Sequence, residues 1–165
     1  MPWTDADQRC MCRAIALARR GGANPGKNPI GCVIVRNGTI IGEGCNEVDQ
    51  QHDATAHVEI LSMRRAGATL NWHELRGAVL YTTLQPCGMC TMASIWAKIG
   101  RIVYGAGRDD VQAMYFEDRH LDTLDFVRDA FRNDLSIEGG LLAKDSASLY
   151  LPPDADIPKS EWFNR

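Results

Sequence analysis

Two cysteines stand at the start of a predicted helix in the segment TTLQPCGMCTMASIWAKIGR, residues 82–101. Cys87 and Cys90 lie three residues apart, so their thiols point from the same side of one helical turn. Pro86 fits a helix start, where its missing N–H costs nothing. The positive end of the helix lowers a thiol pKa and favours the thiolate that binds metal. Redox exchange, structural zinc and catalytic zinc are all open to such a pair.

A second helix supplies a histidine and a carboxylate near its start, in the stretch TAHVEI. His57 and two thiolates make three protein ligands for Zn²⁺, and catalytic zinc sites leave the fourth position to water. Bound zinc lowers the pKa of that water from about 15.7 toward about 7. Glu59 is the carboxylate placed to take up and return the proton, so it must stay off the metal. Residues two apart face different sides of a regular helix, so His57 must cap the helix while Glu59 lies in its first turn.

The competing explanations of the cysteine pair account for fewer residues. A structural zinc site usually has four protein ligands, and the sequence has no second C-x-x-C. His52, in a predicted loop, is the candidate fourth ligand. A redox dithiol explains neither the histidine nor the glutamate. We therefore predict a catalytic zinc site. The remaining cysteines lie in apolar settings and are expected to be small buried side chains: Cys10, Cys12, Cys32 and Cys45.

Composition places these residues in one globular domain, which we assign to residues 1–165, with 152–165 as a tail that could close the site. The chain is 45% hydrophobic and 24% charged, with a net charge of −3. A net negative charge does not suit a protein that binds the phosphates of a long nucleic acid, so nucleic acid is not expected as a partner. No long apolar run, signal peptide or sign of a disulfide framework is present, and we expect a cytoplasmic protein without membrane partners.

Hydrophobic periodicity and turn signals predict the elements that position the site. Helices are expected over 4–20, 56–67 and 141–151 and directly after Pro86. Strands are expected over 30–35, 40–46, 77–83, 101–106 and 135–139, with Asn37-Gly38 as a hairpin turn. The order α-β-β-α-β-α-β-α-β-α predicts an α/β fold with a mixed, partly parallel sheet and helices on both faces.

An H-x-E pair followed by P-C-x-x-C is typical of zinc deaminases, and from about Ala14 to Asp118 the chain resembles the cytidine deaminase-like superfamily. The stretches that carry the resemblance are PIGCVIV, GEGCN, TAHVEI and LYTTLQPCGMC. The resemblance implies a three-layer α/β/α sandwich with a five-stranded mixed sheet, and a homodimer. It also implies Zn²⁺ bound by His57, Cys87 and Cys90, with Glu59 as the proton shuttle.

Within this superfamily, GAGRDDVQAMYFEDRHL at residues 105–121 is similar to the region after the fourth strand in bacterial guanine deaminases. That similarity implies that Asp118 contacts the purine and assists proton transfer. The remaining base contacts that the resemblance implies are Asn46, Ala56, Trp96, Phe116 and Trp162. The expected reaction is deamination of a free nucleobase, guanine to xanthine plus ammonia.

Departures from the guanine enzymes keep other substrates open. Gln85 replaces a glutamate that often precedes the proline, and Tyr115 stands where a glycine is common, which narrows the pocket. The tail SEWFNR, with Trp162, resembles the end of fungal cytosine deaminases. The alternatives are cytosine or another single-ring base such as an aminotriazine, and adenosine in tRNA. The bacterial tRNA enzymes carry an alanine-glycine-rich segment and a basic C-terminal helix that are missing here. An inactive zinc-stapled binding module is the non-enzyme alternative, and Glu59 argues against it.

Overall fold

The five strands form one mixed sheet in a computed structural model that describes residues 3–22, 28–118 and 121–164. The elements are α1 (Asp5–Gly22), β1 (Gly31–Arg36), β2 (Thr39–Cys45), α2 (Val48–Gln51), α3 (Val58–Leu70), β3 (Ala78–Leu84), α4 (Gly88–Trp96), β4 (Arg101–Ala106), α5 (Thr123–Arg128), β5 (Ser136–Gly139) and α6 (Ala143–Ala147). The strand order is β2-β1-β3-β4-β5, antiparallel on both sides of β1 and parallel from β3 to β5. The predicted five-stranded mixed sheet is confirmed.

Helices cover both faces of the sheet because side chains alternate along each strand. Val33 and Val103 belong to the apolar cluster that packs against α1 and α6. Ile34 and Ile102 point the other way, into the cluster that packs against α3. α4 lies beside α3, and α5 lies beside α4 and β5. The three-layer α/β/α sandwich is therefore confirmed.

Two glycines let helices lie directly on the first hairpin. A β-carbon on Gly31 would lie 2.0 Å from the backbone carbonyl oxygen of Ala14 in α1. One on Gly42 would lie 2.2 Å from the backbone carbonyl oxygen of Ser62 in α3. Both separations are far below the roughly 3.5 Å of van der Waals contact, so any side chain at these positions would displace a helix. Gly42 thus fixes how closely α3 approaches the sheet.

Two helices end or begin where the sequence does not predict it, for local backbone reasons. The helix expected over 56–67 continues to Leu70, because Asn71 (φ 49°) supplies the left-handed residue that ends it. The last helix covers only Ala143–Ala147, and the left-handed Leu142 (φ 52°) accounts for its later start. Across the described ranges, no helix combines the length and apolar character needed to cross a membrane.

A buried acid ties the start of α1 to two strands. Asp7 is 3% exposed. Its carboxylate accepts hydrogen bonds from the backbone and hydroxyl of Thr4 (2.9 and 2.7 Å), the Tyr81 hydroxyl (2.8 Å) and the Arg101 guanidinium (2.7 Å). Burial by itself raises the pKa of Asp7, but these hydrogen bonds outweigh it and lower the pKa from 3.8 to about 2. The ionised carboxylate therefore stabilises the folded chain.

We expect Asp7→Asn to lower the free energy of unfolding at pH 7 by about 2 kcal/mol, because each unit of pKa difference is worth about 1.4 kcal/mol. The folded pKa lies below the unfolded one, so this stability is present above about pH 4 and is lost as the pH falls toward about 2. Urea unfolding at pH values from 7 down to about 2 measures this free energy of unfolding. Asp5→Asn, an exposed acid in the same helical turn, is the control. Identical pH dependence in Asp7→Asn and wild type would contradict this account.

Candidate active site

Two helix starts bring the predicted zinc ligands together. His57 is the N-cap residue of α3, and Cys87 is the N-cap residue of α4. The Nδ1 atom of His57 lies 3.7 Å from the Sγ atoms of both Cys87 and Cys90. The three ligand atoms all lie within 4.8 Å of one another. Tetrahedral zinc with ordinary bond lengths separates an imidazole nitrogen and a thiolate by roughly 3.5 Å, so this set fits a zinc ion.

The cluster has the open character of a catalytic site. In the described part of the chain it comprises one histidine and two cysteines. His52, the candidate fourth ligand of a structural site, is exposed at the end of α2.

Among the other cysteines, Cys32 is buried, and Cys10 and Cys45 are half-buried. The expectation of burial is wrong for Cys12, which is exposed because it falls on the solvent side of α1.

Hydrogen bonding gives the two thiols different acidities. The Cys90 thiol, and after it the His57 imidazole, hydrogen-bond to Cys87 and lower its pKa to about 4 in spite of burial. The pKa of Cys90 is raised, because its thiol donates to Cys87 and is buried beside Glu59. The lowered pKa favours the thiolate form of Cys87, which is the form that binds a metal ion.

Glu59 lies in the first turn of α3, beside the ligand cluster. Its side chain is 3% exposed. Oε1 accepts a hydrogen bond from the Thr82 hydroxyl at 2.7 Å, and Oε2 accepts one from the Cys90 thiol at 3.4 Å. Burial raises the pKa of Glu59, and the charge of Cys87 adds to this, while Thr82 opposes it. With His57 at the cap and Glu59 in the first turn, the pair has the arrangement that the zinc chemistry requires.

A cavity of about 660 Å³ opens over the cluster, within the usual range of about 300–1,000 Å³ for small-molecule sites. His57 and Cys87 lie on its wall. Other parts of the wall come from the segment before β1, from the start of α4, from the segments that follow β2 and β4, and from the tail. They include Asn46, Met89, Met114, Tyr115, Glu117, Asp118 and Phe163. The cavity thus joins the predicted zinc site to groups that can hold a substrate.

Two of the predicted base contacts line this cavity. The side-chain oxygen of Asn46, after β2, is buried and has no hydrogen-bond partner among the described residues. Asp118 is held by Arg108, whose guanidinium binds the carboxylate and donates to the Asp118 backbone carbonyl at 2.7 Å. The same guanidinium lies 4.6 Å from the centre of the Phe116 ring. Asn46 and Asp118 both offer acceptors to a molecule in the cavity.

The other four predicted base contacts are not among the described residues that line the cavity. Ala56 and Phe116 are buried, at 0% and 3% exposure. Trp96, at the end of α4, is 74% exposed. The Trp162 ring nitrogen donates to the Ile157 carbonyl at 3.1 Å, within the tail itself. Contacts between these four residues and a base stay predictions.

The tail reaches the cavity through a residue that the sequence analysis missed. Phe163 lies on the wall, with its ring centre 5.8 Å from that of Tyr115. Asn164 fastens the tail by donating to the carbonyls of Ala113 (2.9 Å) and Phe116 (2.5 Å). The adjacent aromatics Trp162 and Phe163 were the available signal, but the sequence does not show which one faces inward.

We expect Cys87→Ala and Cys90→Ala to lose bound zinc, because the two ligands that remain hold a metal ion much more weakly. Metal analysis of protein purified with zinc should give about one zinc per chain in the wild type. Cys12→Ala removes an exposed thiol from α1 and should leave the metal in place. Full zinc occupancy in Cys87→Ala would show that the ligand assignment is wrong.

Comparisons with known proteins point to the same chemistry. A family model described as the cytidine and deoxycytidylate deaminase zinc-binding region matches residues 4–106. A guanine deaminase of Bacillus subtilis (strain 168) is 40% identical over 107 residues, which cover 64% of this chain and 68% of that protein. A tRNA-specific adenosine deaminase of Buchnera aphidicola subsp. Baizongia pistaciae (strain Bp) is 37% identical over 145 residues, 88% of this chain and 86% of that protein. A solved structure in complex with 2,6-diaminopurine is similar with a TM-score of 0.76 at 27% identity, covering 90% of this chain and 81% of that chain. The chain therefore belongs to the cytidine and deoxycytidylate deaminase family of zinc-dependent hydrolases.

Proposed function

We propose that this protein deaminates free guanine to xanthine and ammonia. The observation that carries the proposal is Asp118 on the wall of the cavity that contains His57 and Cys87. Guanine presents two N–H donors on one edge, and a carboxylate accepts both. Hydrogen bonds to a charged acceptor are about twice as strong as neutral ones. The 40% identity to a guanine deaminase of Bacillus subtilis supports this choice of base.

The contacts of Arg108 leave Asp118 able to bind such a base. Arg108 binds Oδ2, and a carboxylate offers about four acceptor positions in all. The backbone N–H of Arg108 donates to the Gln85 side chain at 3.2 Å, and Gln85 donates to the Thr123 hydroxyl at 3.1 Å. Gln85 therefore connects the end of β3 to the segment that carries Asp118. A carboxylate fixed in this way loses little freedom when a base binds.

The side chains of the site can carry the proton transfers. Zinc bound by the three ligands supplies the Lewis acidity that makes water a nucleophile near neutral pH. Glu59 takes the first proton of the water and gives it to the ring nitrogen next to the carbon that bears the amino group. The water oxygen bonds to that carbon. Glu59 then moves the second proton to the amino group, and the carbon–nitrogen bond breaks to release ammonia.

Asn46 suits the same substrate from the other side of the cavity. Its buried side-chain oxygen, which lacks a partner among the described residues, can accept a ring N–H. An unpaired buried acceptor costs about 1–3 kcal/mol, and a bound base would remove that cost. Asn46 and Asp118 would together fix the orientation of the base against Glu59.

Adenosine in tRNA is the second candidate, favoured by the similarity to the Buchnera enzyme over 88% of this chain. The cavity argues against it, because its described lining includes Glu117 and Asp118 but neither lysine nor arginine. Proteins hold nucleic-acid phosphates with those cations. A single-ring base is favoured by the Tyr115 ring on the wall. A volume of about 660 Å³ admits one ring or two, so the position of Asp118 on the wall is what supports guanine over a single-ring base.

The decisive experiment measures ammonia release from guanine, adenine, cytosine, an aminotriazine and a tRNA anticodon stem-loop, with zinc-loaded protein. We expect guanine to exceed adenine by at least about tenfold in kcat/KM. Adenine lacks the paired N–H donors of guanine, so Asp118 keeps its contact with Arg108 but gains no hydrogen bonds from the base, and the corresponding loss is about 1–3 kcal/mol. Turnover of a single-ring base or of the stem-loop, with none of guanine, would overturn the proposal.

Asp118→Asn tests the carboxylate with little change in shape. The amide can still accept from Arg108, but its NH₂ group opposes a donor of guanine, so kcat/KM for guanine should fall by about 100-fold or more. Asp129→Asn, an exposed acid at the end of α5, is the matched control and should behave as wild type. A wild-type rate in Asp118→Asn would show that Asp118 does not contact the substrate.

We also propose that two chains pair through α4. Met89, Met92 and Trp96 share one face of this helix and are 36%, 39% and 74% exposed. A cluster of exposed apolar side chains is typical of an interaction surface. We expect light scattering to show a dimer that Trp96→Arg converts to a monomer. Wild-type protein that is monomeric at micromolar concentration would contradict this.

A further inference from the structure

Thr82 contacts the carboxylate to which the proton transfers are assigned. Its hydroxyl oxygen lies 2.7 Å from Oε1 of Glu59. Thr82 is 0% exposed and Glu59 is 3% exposed. The hydroxyl donates and the carboxylate accepts, which makes this a charge-assisted hydrogen bond. Because both groups are shielded from solvent, water does not readily replace the hydroxyl if it is removed.

The sheet fixes the direction of that hydroxyl. Thr82 pairs with Cys32 of β1 on one side and with Tyr104 of β4 on the other, so its backbone is held from both edges. A β-branched side chain is also stiff at χ1. The next residue, Thr83, points to the opposite face of the sheet, where its hydroxyl lies 2.8 Å from that of Tyr150. Of these two adjacent threonines, Thr82 is the one that serves the face covered by α3.

The two carboxylate oxygens of Glu59 consequently have different surroundings. Oε1 accepts from Thr82, whereas Oε2 accepts a hydrogen bond from the Cys90 thiol at 3.4 Å, on the side of the ligand cluster. The Cys90 hydrogen bond is lost when Cys90 binds zinc as a thiolate, so the Thr82 contact is the one of these two that remains. A glutamate side chain has several rotatable bonds, so a contact to one oxygen is needed to define where the other lies. We infer that Thr82 is a positioning residue for the deamination: it holds Oε1 and so presents Oε2 to the water and the base. The inference rests on Glu59 as proton shuttle and is independent of which base is deaminated.

The first experiment separates the hydroxyl from the bulk of Thr82. Thr82→Val replaces the hydroxyl by a methyl group, and kcat should fall about 10–100-fold, the usual effect of removing a group that orients a reacting residue. KM should stay within about twofold, because the proposed contact is made to the shuttle and not to the substrate. Thr82→Ser keeps the hydroxyl and should recover most of kcat. A wild-type kcat in Thr82→Val, or Thr82→Ser no better than Thr82→Val, would overturn the inference.

A matched control uses the neighbouring threonine. Thr83→Val removes a buried hydroxyl from the same strand, on the face away from Glu59, and should keep the wild-type kcat per zinc-loaded chain. Zinc content and melting temperature are measured for every variant, so a folding or metal defect is seen directly. If Thr82→Val does not fold, Thr82→Ala, which adds no bulk, is judged by the same criteria.

A double-mutant cycle then tests whether Thr82 acts through Glu59. Glu59→Gln should keep its zinc and lose at least about 10³ in kcat, since each proton step is worth about 10²–10⁴. Adding Thr82→Val to that variant should cost nothing further, because residues that act as a unit are not additive. An additional loss as large as in the wild-type background would assign Thr82 a purely structural role. Wild-type activity in Glu59→Gln would refute the shuttle itself and leave the choice of base untouched.

Discussion

The site depends on two helix starts that meet above the end of one central strand. His57 caps α3, and Cys87 caps α4, which follows directly from β3. Their ligand atoms lie within 4.8 Å of one another, and α3, which follows His57, lies directly against the sheet at Gly42. Zinc–ligand distances tolerate deviations of about 0.2 Å, so a side chain at Gly42 that displaced α3 would separate the histidine from the cysteines. Tight helix–sheet packing is therefore a condition for metal binding.

The fold buries the Glu59 carboxylate, although burial of an ionised carboxylate lowers the stability of the folded protein. Desolvation raises the pKa of this carboxylate, which means that the ionised form is disfavoured in the folded protein. The Thr82 hydroxyl compensates part of this cost on one oxygen. The ligand cluster lies beside the other oxygen. A raised pKa is the direction of shift that suits a carboxyl group expected to take up and return a proton.

The residues matched by the family model supply the zinc ligands and part of the cavity wall, and the rest of the wall comes from later in the chain. The family model matches residues 4–106, which contain the zinc ligands and Glu59. Much of the cavity wall comes from later residues, namely Met114, Tyr115, Glu117, Asp118 and Phe163. A shared chemical core, with part of the cavity wall outside the matched region, is consistent with similarity to enzymes named for guanine and for tRNA adenosine.

The sequence by itself predicted the zinc ligands and the proton-transfer residue, because both depend on spacings of a few residues along the chain. A proline followed by two cysteines three apart, and a histidine two residues before a glutamate, predict helix starts and a ligand set through spacing within one helical turn. Only the tertiary structure decided which distant groups meet: Thr82 reaches Glu59 across 23 positions, and Phe163, rather than its neighbour Trp162, lies on the cavity wall. Neither contact follows from periodicity, because both depend on how segments far apart in the chain pack against one another.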